Sequence, residues 1–133
     1  MFGLILVTHD GIGTEMLAAL NHIVGPQAQA VAIAVRGDDD MDACRNAILT
    51  AIKDVNTGEG VVLLTDMFGG TPSNLALSVM PRTNAVVLAG VNLPTLIKLA
   101  SLRATTPLLD AVREAEVAGR KYIQLVTETI AAA

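Results

Sequence analysis

The sequence predicts an α/β fold, a doubly wound and mostly parallel sheet with helices on both faces. Four short apolar runs alternate with segments of helical periodicity. Hydrophobic residues make up 52% of the 133 residues and aromatic residues only 2%. The core must therefore consist of Val, Leu, Ile, Ala and Met, which is typical of parallel strands buried on both faces. This length fits one compact domain, residues 1–133.

The predicted strands are continuous apolar runs bounded by turn residues. They cover residues 4–7, 30–35, 61–65 and 84–89. The tail at 122–130 fits two kinds of element. Its Tyr, Ile, Val and Thr residues favour a strand, whereas the apolar spacing from Glu116 to Ala133 also allows a helix.

The first two helices have recognisable starts. Thr14 is the predicted N-cap of a helix that reaches about Val24. Three aspartates at 38–40 place negative charge at the start of a second helix that reaches about Val55. Its predicted buried face consists of Ala47, Ile48, Ala51 and Ile52.

Proline marks the start of two later helices. Thr71 is predicted to cap the third helix, with Pro72 at its first position. Residues 93–102 show helical spacing, and the Thr-Pro pair at 106–107 opens a further helix that reaches about residue 118, where Gly119 can end it.

Charge and composition exclude several classes of protein. The net charge is -4 without a Lys/Arg cluster, so we expect neither nucleic-acid binding nor attachment to an anionic membrane. One cysteine, Cys44, allows no intrachain disulfide and no cysteine-based metal site, which favours the reducing cytoplasm.

The apolar run at 1–7 lacks a basic flank, so we interpret it as a strand and not as a signal peptide. The mean hydropathy of +0.53 is high for a domain of this size. We therefore expect a homodimer in which apolar surface is buried between the two subunits.

Two polar residues directly follow predicted strands. His9 follows strand 1 and Asp66 follows strand 3. If the sheet order is 2-1-3-4, these strands are neighbours and the two side chains meet at the edge where such sheets bind ligands. A carboxylate that accepts a hydrogen bond from one imidazole nitrogen leaves the other with an outward lone pair. The pair therefore predicts a positioned nucleophile.

The loop after strand 3 offers groups that could bind phosphate. Gly69, Gly70, Thr71 and Ser73 supply backbone N–H groups and two hydroxyls at a helix N-terminus. The sequence has no nucleotide-binding P-loop and no carboxylate cluster for Mg²⁺, so we expect a transfer without metal or cofactor from a ready-made phosphodonor. Met67 and Phe68 suit a docking surface for a partner protein, or they cover the pocket or a dimer interface.

Three runs resemble a known family over essentially the whole chain. They are ILVTHD at 5–10, LLTDMFGGTPSN at 63–74 and AGVNLP at 89–94. The chain is similar to the mannose-family enzyme IIA (EIIA) domain of the bacterial phosphoenolpyruvate-dependent sugar phosphotransferase system. The family often has Trp at the position of Phe68 and Ser at that of Thr71.

This resemblance implies a phosphocarrier of sugar transport. His9 would accept a phosphoryl group from the phosphohistidine of HPr, Asp66 would orient its ring, and Thr71 would contact the phosphoryl group. The implied fold is a parallel sheet of order 2-1-3-4 in a homodimer that exchanges an antiparallel C-terminal strand, for which 122–130 is the candidate. Because no IIB domain follows in the chain, the expected acceptor is a separate IIB component or a regulatory protein.

Two other classes use the same residues. A receiver-like or flavodoxin-like binding module shares this topology, with Asp66 where a receiver has its phosphoacceptor. A hydrolase could use Ser73 or Thr71 as its nucleophile, although no G-x-S-x-G elbow is present. Arg36 and Arg103 could hold a phosphoryl group or a partner, but we assign neither to the site.

Overall fold

A computed structural model describes residues 1–132, and Ala133, the last residue of the predicted domain, lies outside the described residues. Its strands form one parallel sheet in the order β2-β1-β3-β4. The fold class and the strand order are as predicted. The strands are β1 (Gly3–His9), β2 (Ala30–Val35), β3 (Val61–Thr65) and β4 (Val86–Ala89). The helices are α1 (Ile12–Val24), α2 (Met41–Val55), α3 (Thr71–Thr83), α4 (Leu93–Leu102), α5 (Leu108–Lys121) and α6 (Val126–Ala132).

The core lies on both faces of the sheet. Side chains alternate between the faces along each strand: Ile5, Val7 and Leu63 pack with residues of α2 and α3 on one face, and Leu4 and Leu64 pack with residues of α1, α4 and α5 on the other. All five are completely buried. Burial on both faces explains why the strands are continuous apolar runs.

The strand register places the ends of β1 and β3 side by side. Val7 pairs with Thr65 in β3, and His9 pairs with Val35 in β2. His9 therefore lies at the carboxyl edge of the sheet, next to the residue that follows Thr65. This edge is where parallel α/β sheets place their ligands.

The first helix begins earlier than predicted. Thr14 is not its N-cap: α1 begins at Ile12, Gly11 is the N-cap, and Thr14 is exposed within the helix. The hydroxyl of Thr8 accepts a hydrogen bond from the backbone N–H of Gly13 at 2.8 Å. A side chain on the strand therefore satisfies an N–H group of the first turn that a local cap would otherwise satisfy.

The third helix also begins differently from the prediction. Gly70 is the N-cap of α3 and Thr71 is its first residue, and this end has no side-chain cap among the described residues. In α2, Asp40 caps the helix by accepting from the N–H of Asp42 at 3.0 Å. Ala47, predicted to be buried, is exposed, because the buried stripe of α2 runs one position further round the helix. This stripe consists of Cys44, Ile48, Ile52 and Val55.

The C-terminal part of the chain is helical in the single chain. Helix α5 continues through Gly119, which is buried against Thr95 of α4. The carbonyl of Gly119 accepts a hydrogen bond from the side chain of Asn92 at 3.2 Å. Contact with α4, not a turn, therefore explains this glycine. The segment at 122–130 includes most of α6 and contains no strand in the described chain. Across residues 1–132, no helix has both the length and the hydropathy needed to cross a bilayer.

Candidate active site

His9 and Asp66 form the centre of the site. Nδ1 of His9 lies 2.8 Å from Oδ2 of Asp66, and the same oxygen accepts the backbone N–H of His9 at 3.0 Å. The other carboxylate oxygen accepts the N–H of Met67 at 3.2 Å. The Asp66 side chain is largely buried, whereas that of His9 is 43% exposed. The predicted meeting of these two side chains is therefore present in the structure.

The protonation state of Asp66 determines which nitrogen of His9 can react. Partial burial raises the pKa of the Asp66 carboxyl, but hydrogen bonds from the backbone and ring of His9 and from its own backbone hold the pKa below its usual value. Asp66 is thus a carboxylate at neutral pH and can only accept. In the neutral imidazole, Nδ1 of His9 must then carry the proton, which leaves a lone pair on Nε2.

Gly70 packs directly against the imidazole of His9. A Cβ built on Gly70 would lie 2.8 Å from Cε1 and 3.3 Å from Nε2 of His9. Nε2 of His9 therefore lies close to the backbone at the N-terminus of α3, where N–H groups without intrahelical partners favour an anion. Gly69 has φ +91, and a Cβ there would meet nothing within 4 Å. The two glycines consequently serve different needs, a turn at Gly69 and a close approach at Gly70.

The two predicted phosphate-binding hydroxyls have different surroundings. Thr71 is exposed and lines a shallow depression of about 270 Å³ together with His9. Ser73 is completely buried, and its Oγ has no hydrogen-bond partner within the described structure. Only Thr71 therefore presents its hydroxyl at the surface of the site. Met67 and Phe68, in the loop between β3 and α3, are 56% and 75% exposed.

Sequence reasoning did not assign Arg36 to the site, but the structure places it there. Arg36 lines the same depression as His9, and its Nη1 lies 3.2 Å from Oδ1 of Asp10. It directly follows β2, whose carboxyl end reaches the same edge as β1. The position of Arg36 after a neighbouring strand was the available signal. Arg103, in contrast, is buried at the amino end of the strands, where it binds the carbonyl of Phe2.

Comparison with known proteins decides the family. The model of the EIIA-man family, described as the fructose IIA component of the phosphotransferase system (PTS), matches residues 3–116. The chain belongs to this family. The chain is similar to the fructose-specific EIIA component of Bacillus subtilis, with 26% identity over 129 residues, which cover 96% of this chain and 88% of that protein.

Solved structures of EIIA proteins have the same fold. EIIA from Streptococcus agalactiae superposes with a TM-score of 0.88 at 24% identity, covering 96% of this chain and 99% of that one. The mannose/sorbose-specific IIA subunit from Enterococcus faecalis gives a TM-score of 0.82 at 25% identity, covering 92% of both chains. The resemblance inferred from the three motifs is confirmed, and the chain is an EIIA phosphocarrier of the phosphotransferase system for sugar transport.

The geometry also disfavours the two alternatives. Asp66 holds His9 through two hydrogen bonds, so it does not stand free as the phosphoacceptor of a receiver would. Ser73 is fully buried and Thr71 begins a helix, so neither hydroxyl has the exposed strand-to-helix elbow of a hydrolase nucleophile.

Proposed function

We propose that His9 of this EIIA protein carries the phosphoryl group in the cytoplasm. HPr donates it from its own phosphohistidine, and a IIB component or a regulatory protein accepts it. The observation that supports this assignment is the 2.8 Å contact between Nδ1 of His9 and Asp66, together with the partial exposure of the ring. The contact fixes the tautomer, and the exposure gives Nε2 access to a partner protein.

The transfer is an in-line displacement. The lone pair of Nε2 forms a bond to phosphorus while the bond from phosphorus to the donor histidine breaks, and its electron pair returns to the donor ring. Asp66 keeps the proton of Nδ1 in place and stabilises the charge that develops on the ring. Donor and acceptor bonds are of the same kind, so the reaction is nearly balanced in energy and needs neither nucleotide nor metal.

The phosphoryl oxygens would lie at the N-terminus of α3. Backbone N–H groups there and the hydroxyl of Thr71 are the donors, and Gly70 leaves room for the group beside the ring. The backbone of Gly69 makes the turn that brings these donors to His9. Ser73 contributes through its backbone, since its side chain is buried. Met67 and Phe68 provide apolar contacts for HPr around the site.

The test is the intact mass after incubation with phosphoenolpyruvate, enzyme I and HPr. The sequence has two histidines, and His22 is exposed on α1, so His22→Ala is a matched control. We expect one acid-labile phosphate on the wild type and on His22→Ala, and none on His9→Ala. Phosphate that persists on His9→Ala would refute the assignment.

We also propose that two copies form a dimer by exchanging the segment at 122–130. Strand β4 is at the edge of the sheet, so its outer backbone groups can accept another strand. The tail exposes several large apolar side chains and contains β-branched residues that favour strands. The exposed side chains are Ile123, Leu125, Val126 and Ile130. In the dimer, this segment, of which residues 126–130 belong to α6 in the single chain, would extend antiparallel to β4 of the other copy.

Light scattering after size-exclusion chromatography tests the dimer. The double variant Ile123→Glu with Leu125→Glu should be a monomer, because both side chains would lose their apolar contacts. Glu128→Gln, on the same segment, should remain a dimer. A monomeric wild type, or a dimer unaffected by the double variant, would show that the tail is not exchanged.

A further inference from the structure

The depression beside His9 contains a cation that the proposed transfer does not yet use. Its described lining includes His9, Arg36, Asp39 and Thr71, and Arg36 is the one permanently charged cation among these lining residues. The backbone N–H of Arg36 donates to Oδ2 of Asp39 at 2.8 Å, which fixes the loop after β2. The guanidinium itself reaches toward β1 and binds Asp10.

Asp10 directly follows His9 in an unusual backbone conformation. Its φ is +46, in the left-handed region that side chains other than glycine rarely adopt. Its N–H donates to the carbonyl of Val35 at 3.0 Å, so the loop is tied to the end of β2. The carboxylate of Asp10 lies 3.2 Å from Nη1 of Arg36, and it is therefore next to the depression that Arg36 and His9 line. By itself this charge opposes a phosphoryl group.

The ion pair between Arg36 and Asp10 can open easily. The side chains are 57% and 71% exposed, and the two atoms are 3.2 Å apart. Exposed pairs of this kind contribute little to stability because water and salt screen them. A phosphoryl group offers the guanidinium several oxygens in a geometry that matches its planar fork and carries more charge than one carboxylate.

We propose that Arg36 is a movable phosphoryl-binding residue. Asp10 holds it at the edge of the site while His9 is free, and Arg36 moves from Asp10 to the phosphoryl oxygens when His9 is phosphorylated. This inference depends on the proposed role of His9. Arg36 takes no part in bond making and remains protonated throughout; it compensates the charge that arrives with phosphorus when the bond to Nε2 forms.

The decisive measurement is the equilibrium distribution of phosphate between HPr and this chain. A contact that forms only with the phosphorylated site stabilises that state and shifts the equilibrium, whereas a contact that only helps HPr to dock changes the rate in both directions equally. Arg36→Gln should shift the equilibrium about tenfold toward phospho-HPr, the size expected for a lost charge-assisted hydrogen bond. Arg45→Gln is the control, because Arg45 binds Asp42 and Ser78 on the surface of α2 and α3.

Asp10→Asn distinguishes direct contact from simple charge screening. Asparagine tolerates a positive φ, and its amide removes the competing charge, so the variant should shift the equilibrium toward this chain. If Arg36 contacts the phosphoryl group, Arg36→Gln must still have its effect in the Asp10→Asn background. If Arg36 only neutralises Asp10, the effect disappears in that background and the proposal is wrong.

The outcomes also separate this inference from the function on which it depends. Phosphorylation of Arg36→Gln at the wild-type equilibrium, with or without a slower rate, overturns the role of Arg36 and leaves His9 as the carrier. Absence of phosphate on the wild type, or its persistence on His9→Ala, overturns the role of His9 itself. Thermal unfolding of each variant establishes that the fold is intact.

Discussion

The two edges of the sheet hold their polar side chains in opposite ways. Arg103 lies at the amino ends of β1 and β2 and is only 2% exposed. Every nitrogen of its guanidinium donates a hydrogen bond to an oxygen. The acceptors are the carbonyls of Phe2, Ala28 and Gln29 and the side chain of Gln27. At the carboxyl ends, His9 is partly exposed, and Asp66 engages only one of its ring nitrogens.

This difference separates a structural group from a reactive one. Burial lowers the pKa of the Arg103 guanidinium from its usual value, yet arginine keeps its charge and its hydrogen bonds leave nothing to bind a ligand. In the proposed role of His9, Asp66 fixes one ring nitrogen so that the other can react. Both edges contain a basic side chain. They differ in how many of its polar atoms remain available to bind a ligand.

The largest effect is expected at the amino edge. Arg103→Ala removes both donors of the buried carbonyl of Phe2 and the donors of the partly buried carbonyls of Ala28 and Gln29, and it leaves a cavity where a buried side chain was. We expect the free energy of unfolding to fall by about 3 kcal/mol or more, a large part of the stability of a domain of this size. Urea unfolding followed by circular dichroism measures it.

Arg45→Ala is the control for Arg103. Arg45 pairs with Asp42 and Ser78 at the surface, so its loss should cost at most about 1 kcal/mol. Equal costs for the two variants would mean that water replaces the donors of Arg103, and the contrast between the two edges would then be much weaker.

The next largest effect is expected at Gly70, whose backbone lies close to the ring of His9 at the carboxyl edge. Gly70→Ala places a methyl group 2.8 Å from Cε1 of His9, too close for a contact between carbon atoms, and the backbone at Gly70 has φ -86 and ψ 171, which alanine adopts without strain. The ring must rotate away from Asp66, so the rate of phosphoryl transfer from phospho-HPr should fall about 10- to 100-fold. Stability should change little.

Gly69→Ala should behave in the opposite way. Its Cβ would meet no atom within 4 Å, but its φ of +91 is unfavourable for alanine. We expect lower stability and transfer closer to the wild-type rate than in Gly70→Ala. If both variants slowed transfer equally, the loop as a whole, and not the contact between Gly70 and the ring, would control the position of His9.

The sequence predicted the sheet and the central pair because both depend on local patterns. Continuous apolar runs identified the strands, and residues directly after neighbouring parallel strands must lie at one edge, which brought His9 to Asp66. The same rule applies to β2 and would have placed Arg36 at the site. Arg36 was named as a possible phosphoryl ligand but not assigned to the site, because the sequence alone does not define the geometry of its loop.

Other features depend on contacts that no local pattern reveals. The cap of α1 comes from Thr8, a strand residue, so Thr14 was wrongly predicted to be the N-cap. Arg103 contacts Phe2 across about a hundred positions of sequence, and Gly119 packs on α4. The large apolar side chains of the tail at 122–130 are exposed in the described structure, so no core contact decides between the strand and the helix that the residue pattern allows.

A smaller effect should appear in the pH dependence of stability. Because the pKa of Asp66 is lower in the folded state than its usual value, the hydrogen bonds to its carboxylate stabilise the fold above the unfolded-state pKa of about 3.9. This contribution is lost as the pH falls through the folded-state value. The difference in unfolding free energy between wild type and Asp66→Asn should therefore shrink below about pH 4. A difference that is constant with pH would contradict the shifted pKa.

The smallest effect concerns two hydroxyls in one turn of α3. Ser73→Ala removes a buried oxygen without a hydrogen-bond partner, so unfolding should require the same free energy or up to about 1 kcal/mol more. Thr71→Val removes an exposed hydroxyl that lines the depression beside His9, and transfer should slow about three- to tenfold, as for one neutral hydrogen bond. Thermal unfolding and transfer from phospho-HPr measure the two.

Comparison of Ser73→Ala with Thr71→Val tests the same contrast between buried and available polar groups on two neighbouring side chains. If availability decides which polar groups act, Ser73→Ala transfers phosphate at the wild-type rate although Ser73 is only two residues from Thr71. If Ser73→Ala slows transfer as much as Thr71→Val, the first turn of α3 must open when phosphate arrives. The buried hydroxyl of Ser73 would then become a hydrogen-bond donor to the phosphoryl group only after this opening. The sequence-based assignment of Ser73 as a phosphate ligand would hold for the phosphorylated state.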